Sequence, residues 1–328
     1  MNPIIEDLAA GHNWRWGALN GCDKEGRMVQ LMKITASALL LTFLLSASPT
    51  DAQEQGQATL RVPLNFGSAT TVHLGSGVYT FTRQGARNIF IVTDDGVIAT
   101  DPISPETAEV YMAEIRKVTD KPVKYLVYSH QHWDHVRGGQ IFKDAGASVV
   151  SHQACIQYFH RDPNPEVVNP DITFEGPRYD VTLGGKTLEL HHFGRNHGDC
   201  LVVMRIPEIN AIFLVDLVTP YGVSGGSGLI NDFYPTDWIR SLKQIEAMDF
   251  DYMIGGHGPP KAPPWAITER REYLEALMAA VKAELDKGTP AAETGAAINL
   301  PKFQHLRNYK RLMPLNAERF RTFYILGW

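Results

Sequence analysis

Cysteine is nearly absent from this chain, with three in 328 residues. Cys22 lies ahead of a leader-like segment, which leaves Cys155 and Cys200. Two thiols offer one pairing and no disulfide framework, so each reads as a small buried apolar side chain rather than a ligand or nucleophile. An excess of one charge is lacking as well: 31 Lys and Arg against 36 Asp and Glu give a net charge of -5. That field is too weak to hold nucleic acid, which is excluded as the expected partner in favour of a small-molecule substrate. No internal repeat in the range of roughly 20 to 50 residues appears, which excludes a solenoid or propeller array. Long apolar runs are missing too. The block from Ala36 to Leu45 is too short to span a bilayer comfortably.

That block has a different reading. Lys33 precedes it, and a small-residue stretch ending in Thr50-Asp51-Ala52 follows it, before the polar run Gln53 to Gln57. This is the layout of a secretory signal peptide over residues 28–52, with cleavage after Ala52. Residues 1–27 form an upstream extension without periodicity, so that Met28 or Met32 becomes the expected start. A periplasmic or secreted protein follows, with no stable membrane insertion once the leader is removed. The remainder divides into an expected catalytic domain at 58–264 and a helical segment at 265–328 packing on the same domain. Nothing in the sequence fixes an oligomeric state.

Short strand patterns dominate the first part: TLRVPLNF at 59–66, TTVHLG at 70–75, VYTFTR at 78–83 and NIFIVTDDGVIATD at 88–101. Asp95-Gly96 between two β-branched runs predicts a hairpin. The period then changes. Ser104-Pro105-Glu106 supplies a cap, a first-turn proline and an acid suited to the helix dipole, predicting a helix to Val118 with Val110, Ile115 and Val118 inward. A strand at 124–128, a short helix after Gly138-Gly139, a strand at 147–150 and a helix at 152–160 indicate α/β layering. Four more strands are expected at 179–183, 186–193, 200–206 and 211–217, the last pair joined as a hairpin. The stretch GVSGGSG at 222–228 reads as a loop. Thr236 is placed as the cap of a helix to Met248, a short strand closes at Ile254, and helical spacing runs from Trp265 to Leu285.

Between the strand at 124–128 and that short helix stands SHQHWDH. His130, His132, Asp134 and His135 fall within six positions, and side chains two apart in an extended segment share a side. Neutral imidazole and carboxylate suit zinc, and also iron or manganese. Four such groups do not complete two coordination shells. The rest of the chain offers His197 in FGRNHGD, Asp216 closing AIFLVD, and His257 in the GGHG turn, all in strand-end loops.

HxHxDH, a later His before Gly-Asp, an Asp ending an apolar strand and a final GGHG together resemble the metallo-β-lactamase superfamily over roughly residues 60–260. The resemblance implies an α/β fold, a four-layer αββα sandwich with metals at one edge. It implies two Zn2+ per chain, His130, His132 and His197 holding the first and Asp134, His135 and His257 the second, with Asp216 bridging. Aspartate at 216 is similar to the glyoxalase II-like branch, and the chain as a whole is similar to exported SoxH-like or quinoprotein-relay-like hydrolases. The implied chemistry is hydrolysis of a β-lactam, ester, lactone or thioester by a hydroxide shared between the metals, with Asp134 orienting it and passing on its proton. Two alternatives remain: a single-iron oxygenase of the same fold, and a non-catalytic metal-binding accessory protein.

Asp101 is a candidate outer partner for a ligand imidazole, or simply a helix-entry residue. Ser129 and Trp133 are expected to support the turn by packing. His73, His152, His160, His191, His192 and His305 are read as surface or packed side chains. Tyr221, Phe233, Tyr234 and Trp238 are candidates for a substrate mouth.

Overall fold

The computed structural model describes residues 67–223 and 233–327. The expected leader, the upstream extension, the strand pattern at 59–66 and residues 224–228 of the glycine-rich loop lie outside the described residues.

Two sheets form the centre. The first runs in chain order through β1 (Thr70–Gly75), β2 (Val78–Arg83), β3 (Ala86–Val92), β4 (Val97–Thr100), β5 (Val123–Val127), β6 (Ser148–His152) and β7 (Ile172–Phe174). Its first four strands are antiparallel and its last four parallel. The second contains β8 (Arg178–Leu183), β9 (Lys186–His192), β10 (Val202–Ile206), β11 (Ala211–Leu214) and β12 (Tyr252–Gly255), in the order 12-11-10-9-8. Only β11 and β12 pair in parallel there.

The helices are α1 (Pro105–Val118), α2 (Trp133–Val136), α3 (Gln140–Asp144), α4 (Ile156–Arg161), α5 (Pro235–Glu246), α6 (Trp265–Asp286), α7 (Ala291–Ala297) and α8 (Tyr309–Leu326). Three apolar layers hold sheets and helices together. Ile89, Ile91 and Val127 of the first sheet meet Leu188, Met204 and Phe213 of the second. On the outer face of the first sheet, Phe81 and Phe90 pack with Tyr111 and Met112 of α1 and Phe142 of α3. On the outer face of the second, Ile212 and Leu214 pack with Trp238 and Leu242 of α5, Leu274 of α6 and Phe320 of α8. The result is helix, sheet, sheet, helix: an α/β sandwich in which each sheet buries both faces. Residues 265–327 thus share the core of the second sheet.

Local details follow the sequence closely in places. The Asp95-Gly96 turn joins antiparallel β3 and β4, closed by Thr93 N–H donating to Gly96 O at 2.9 Å. Ser104 caps α1, its hydroxyl accepting from Thr107 N–H at 3.2 Å, an interaction of about 1 kcal/mol.

Elsewhere the structure corrects the expectations. Val118 is exposed, because the inward stripe of α1 is Thr107, Ala108, Tyr111, Met112 and Ile115, and no residue of the helix beyond Ile115 is buried. Thr236 does not cap α5: Pro235 takes the first helical position and Tyr234 the cap, as proline's fixed φ and missing N–H favour. The strand expected at 211–217 stops at Leu214 because Asp216 adopts φ +55°. Cys155 and Cys200 are buried but not separate apolar side chains; they form a disulfide across 45 residues, tying the turn before α4 to the start of β10.

Candidate metal centre

The site lies along one edge of the sandwich, where β5, β11 and β12 end and β9 turns into β10. The chain leaves β5 through Tyr128, bends at Ser129 to Gln131 past His130, and reaches His132 in extended backbone before entering α2, which carries Asp134 and His135. His197 comes from the loop between β9 and β10, Asp216 from the residues after β11, and His257 from the turn after β12. Because β11 and β12 are parallel neighbours, their C-terminal loops emerge side by side and bring Asp216 to His257.

All seven expected ligands are brought together. Among the described residues, His130, His132, His197 and Asp216 form one group whose candidate ligand atoms lie within 4.8 Å of one another, and Asp134, His135, Asp216 and His257 form a second. Asp216 is common to both. Its Oδ2 lies 3.5 Å from His130 Nε2, 3.3 Å from His135 Nε2 and 3.7 Å from His197 Nε2, while Oδ1 lies 3.0 Å from His257 Nε2. His132 joins through its ring, whose centroid is 4.6 Å from that of His130 and 4.4 Å from that of His197.

Backbone and side-chain contacts on the far side of the rings set their orientation. Ser129 Oγ lies 2.9 Å from His130 Nδ1, and Gly85 O accepts from His257 Nδ1 at 2.9 Å. Both contacts leave Nε2 facing Asp216. Asp101 is fully buried; one carboxylate oxygen accepts from Ser129 N–H at 2.8 Å, and the other stands 3.5 Å from His135 Nδ1. At that separation the second contact is electrostatic rather than a hydrogen bond of ordinary length. Asp101 therefore stands behind a candidate ligand, the arrangement that fixes a metal-binding imidazole's tautomer.

Two glycines permit the close approach. Gly198, at φ +68°, lies so near Gln131 that a Cβ would sit 2.4 Å from its Nε2. At Gly256 a Cβ would come within 3.1 Å of the backbone of Val215, beside Asp216.

The electrostatics suit a cation. Burial pushes His130 well below the usual imidazole range despite Asp216 beside it, leaving a neutral ring. Burial acts the same way on His135, but Asp216 and Asp101 outweigh it and raise its pKa well above the usual value. Burial would raise the Asp216 carboxyl, yet His135 foremost and then His130 and His197 hold it well below the ordinary carboxylate range. His130 Nε2 and His135 Nε2 are buried and without hydrogen-bond partners. Buried polar nitrogens left in this state are costly unless something binds them, and imidazole with carboxylate is a donor set for a divalent metal. The residues present fit such a group.

The other histidines stand apart. His152 and His192 stack with centroids 3.7 Å apart, His191 meets Glu189 at 3.1 Å, and His305 meets Glu269 at 2.9 Å. The expected mouth aromatics divide. Phe233 packs on His197 at 4.1 Å between ring centroids, and Tyr234 packs under Arg195, but Trp238 is fully buried with its Nε1–H donating to Leu217 O. Trp133 does not support the turn by packing; it is 48% exposed. It lines a cavity of about 430 Å³ with Gln131, His132, Tyr158, Arg161 and Asp162. Tyr158 and Arg161 lie on α4, and no periodic signal in the chain marks α4 as a neighbour of the candidate metal centre.

Residues 82–257, more than half the chain, match the family model described as "Metallo-beta-lactamase superfamily". The chain belongs to that superfamily. It is 28% identical over 261 residues to the 2,4-dinitroanisole O-demethylase subunit alpha of Nocardioides sp. (strain JS1661), covering 77% of this chain and 75% of that one. It is 24% identical to the metallo-beta-lactamase type 2 of Elizabethkingia meningoseptica, covering 69% and 89%. Among solved structures, a metallo-beta-lactamase from Pontibacter korlensis superposes with a TM-score of 0.57 at 20% identity, covering 63% of this chain and 99% of that one. That likeness supports the αββα fold.

Proposed function

We propose that this protein is an exported hydrolase with two zinc ions, cleaving a carbonyl-centred bond in a β-lactam, ester, lactone or thioester. The observation that carries the reading is Asp216 standing common to two groups of ligand atoms. His130, His132 and His197 would hold one ion and Asp134, His135 and His257 the other, with Asp216 between. A pair of divalent cations supplies a water ionised near neutral pH and polarises the electrophilic centre of the substrate.

The chain's own residues do the rest. Asp134 is the ligand most open to solvent, its side chain 68% exposed and its Oδ2 3.8 Å from His135 Nε2. It can accept the proton of the attacking water and return it to the departing atom. The cavity beside His132 receives the part of the substrate that does not react, with Trp133 and Tyr158 offering flat apolar surface. Export is supported by the leader-like segment and by the disulfide, since such bonds persist in oxidising compartments.

The relative named as the alpha subunit of a 2,4-dinitroanisole O-demethylase favours a second substrate class, an activated aryl ether, at the same site. Metal analysis combined with a panel of cephalosporin, S-acyl thioester, lactone, phosphoester and nitroaryl ether substrates separates the readings. Two zinc ions per chain and turnover of a carbonyl substrate are expected, and Asp134→Ala should nearly abolish that turnover. A single iron, or silence across the panel with two zinc ions bound, would defeat the hydrolase reading. Full activity of Asp134→Ala at unchanged metal content would remove the role given to Asp134.

A further inference from the structure

Arg87, the second residue of β3, is only 5% exposed. Among the described residues no carboxylate lies within ion-pair distance of its guanidinium. Burying a charge in this way is expensive unless hydrogen bonds replace the lost water. The replacement is a set of backbone carbonyls from a single loop. Nη1 donates to Gly255 O at 2.7 Å and to Pro259 O at 3.3 Å, and Nη2 donates to Gly258 O at 2.9 Å. Nε donates to Thr82 Oγ1 at 3.1 Å, and the backbone N–H of Arg87 donates to Gly256 O at 2.7 Å.

That loop is GGHGPP, and His257 is at its centre. Around His257 stand Gly255, Gly256 and Gly258, which have no side chains with which to anchor themselves and the largest backbone freedom to lose. Their carbonyl oxygens are the available handles. His257 is also partly open, its side chain 38% exposed, whereas those of His130 and His135 are fully buried. Packing therefore holds His257 less firmly than those two. The β2–β3 hairpin touches it directly as well, through Gly85 O on Nδ1 and an antiparallel bridge between Ala86 and His257.

We propose that Arg87 is the positioning residue for His257: its planar fork fixes the loop from Gly255 to Pro259 so that Nε2 faces Asp216, and so sets the affinity of one metal position. The proposal rests on the two-metal reading. A lysine cannot replace the fork, since a single ammonium cannot span the same carbonyls in one plane.

The test is zinc binding to metal-free protein, measured by competition with a chromophoric chelator, for wild type, Arg87→Lys, Arg87→Met and Thr82→Val. In Arg87→Met one zinc should weaken about 10- to 100-fold, the range for loss of an outer partner of a metal ligand, while the other keeps its wild-type affinity. Arg87→Lys should fall between, and Thr82→Val, which removes only the Nε acceptor, should show the same one-site loss in smaller measure. The last two carry the test if Arg87→Met does not fold. Two zinc ions at wild-type affinity in the arginine variants would overturn the proposal, and equal weakening of both would reduce Arg87 to general support. If wild type binds one zinc, the two-metal reading fails instead. The clamp is then judged from the His257 Nδ1–H resonance of metal-free protein by NMR, expected sharp in wild type and lost in Arg87→Lys. An unchanged resonance there would sink it.

Discussion

Asp101 and His135 face each other in a fully buried pair, carboxylate oxygen 3.5 Å from Nδ1, at the back of the candidate metal centre. Asp101 has φ +33°, a conformation that aspartate and asparagine tolerate better than most residues. Its other oxygen holds Ser129 N–H and its backbone O accepts from Asn88 Nδ2, each at 2.8 Å. Asp101→Asn should therefore fold while removing the charge behind His135. The expected result is a 10- to 100-fold loss of metal affinity at one position, read by chelator competition on folded protein, with the metal-free protein also less stable because buried His135 keeps only Asp216 as a charged partner. Wild-type affinity in a folded Asp101→Asn would assign Asp101 to the turn alone.

The disulfide gives a second prediction. Cys155 precedes α4, which carries Tyr158 and Arg161 of the cavity wall, and Cys200 follows the His197 loop by three positions. Tyr158 repeats the connection, its hydroxyl donating to Asp199 at 3.0 Å. Removing a cross-link that closes a loop of this length should cost about 3–4 kcal/mol in the chain-entropy model. Urea unfolding of Cys155→Ser/Cys200→Ser should show that loss, and reductant should destabilise wild type by a similar amount while leaving the variant unmoved. Equal stability of wild type with and without reductant would show that the thiols are not joined in solution.

The convergence of seven candidate ligands was legible in the sequence because four of them stand in one heptapeptide and the other three close strand-end motifs. The layering was legible for a related reason: β-branched runs bounded by glycine and proline mark strands, and Ser104-Pro105-Glu106 marks a helix entry. What was not legible depends on tertiary packing. Whether Val118 faces in or out is settled by how far along α1 its packing partners reach, and that packing ends at Ile115, which nothing local records. Trp133 looks like core by type, yet it opens onto a cavity because α4 arrives from elsewhere in the chain. Cys155 and Cys200 stand 45 positions apart with no local signal that pairs them, and only the fold sets their α-carbons 5.1 Å apart. Arg87 is an arginine in a strand until the GGHGPP loop closes over it.

The stacked pair His152 and His192 predicts an acid sensitivity separate from the metal centre. Burial lowers the pKa of His152 to about 4, with His192 adding to the effect, and burial lowers His192 as well. The unfolded chain keeps the ordinary imidazole value near 6.5, so between about pH 6.5 and 4 the unfolded state binds more protons than the folded one. Stability then rises with pH through that window and is lost on acidification. His152 Nδ1 also accepts from Ala154 N–H at 3.2 Å, a role that an asparagine oxygen can take over. In His152→Asn, urea unfolding at pH 7 and pH 5 should show a smaller drop in stability than wild type shows, both proteins being measured free of metal. The same drop in the two proteins would place the acid sensitivity elsewhere.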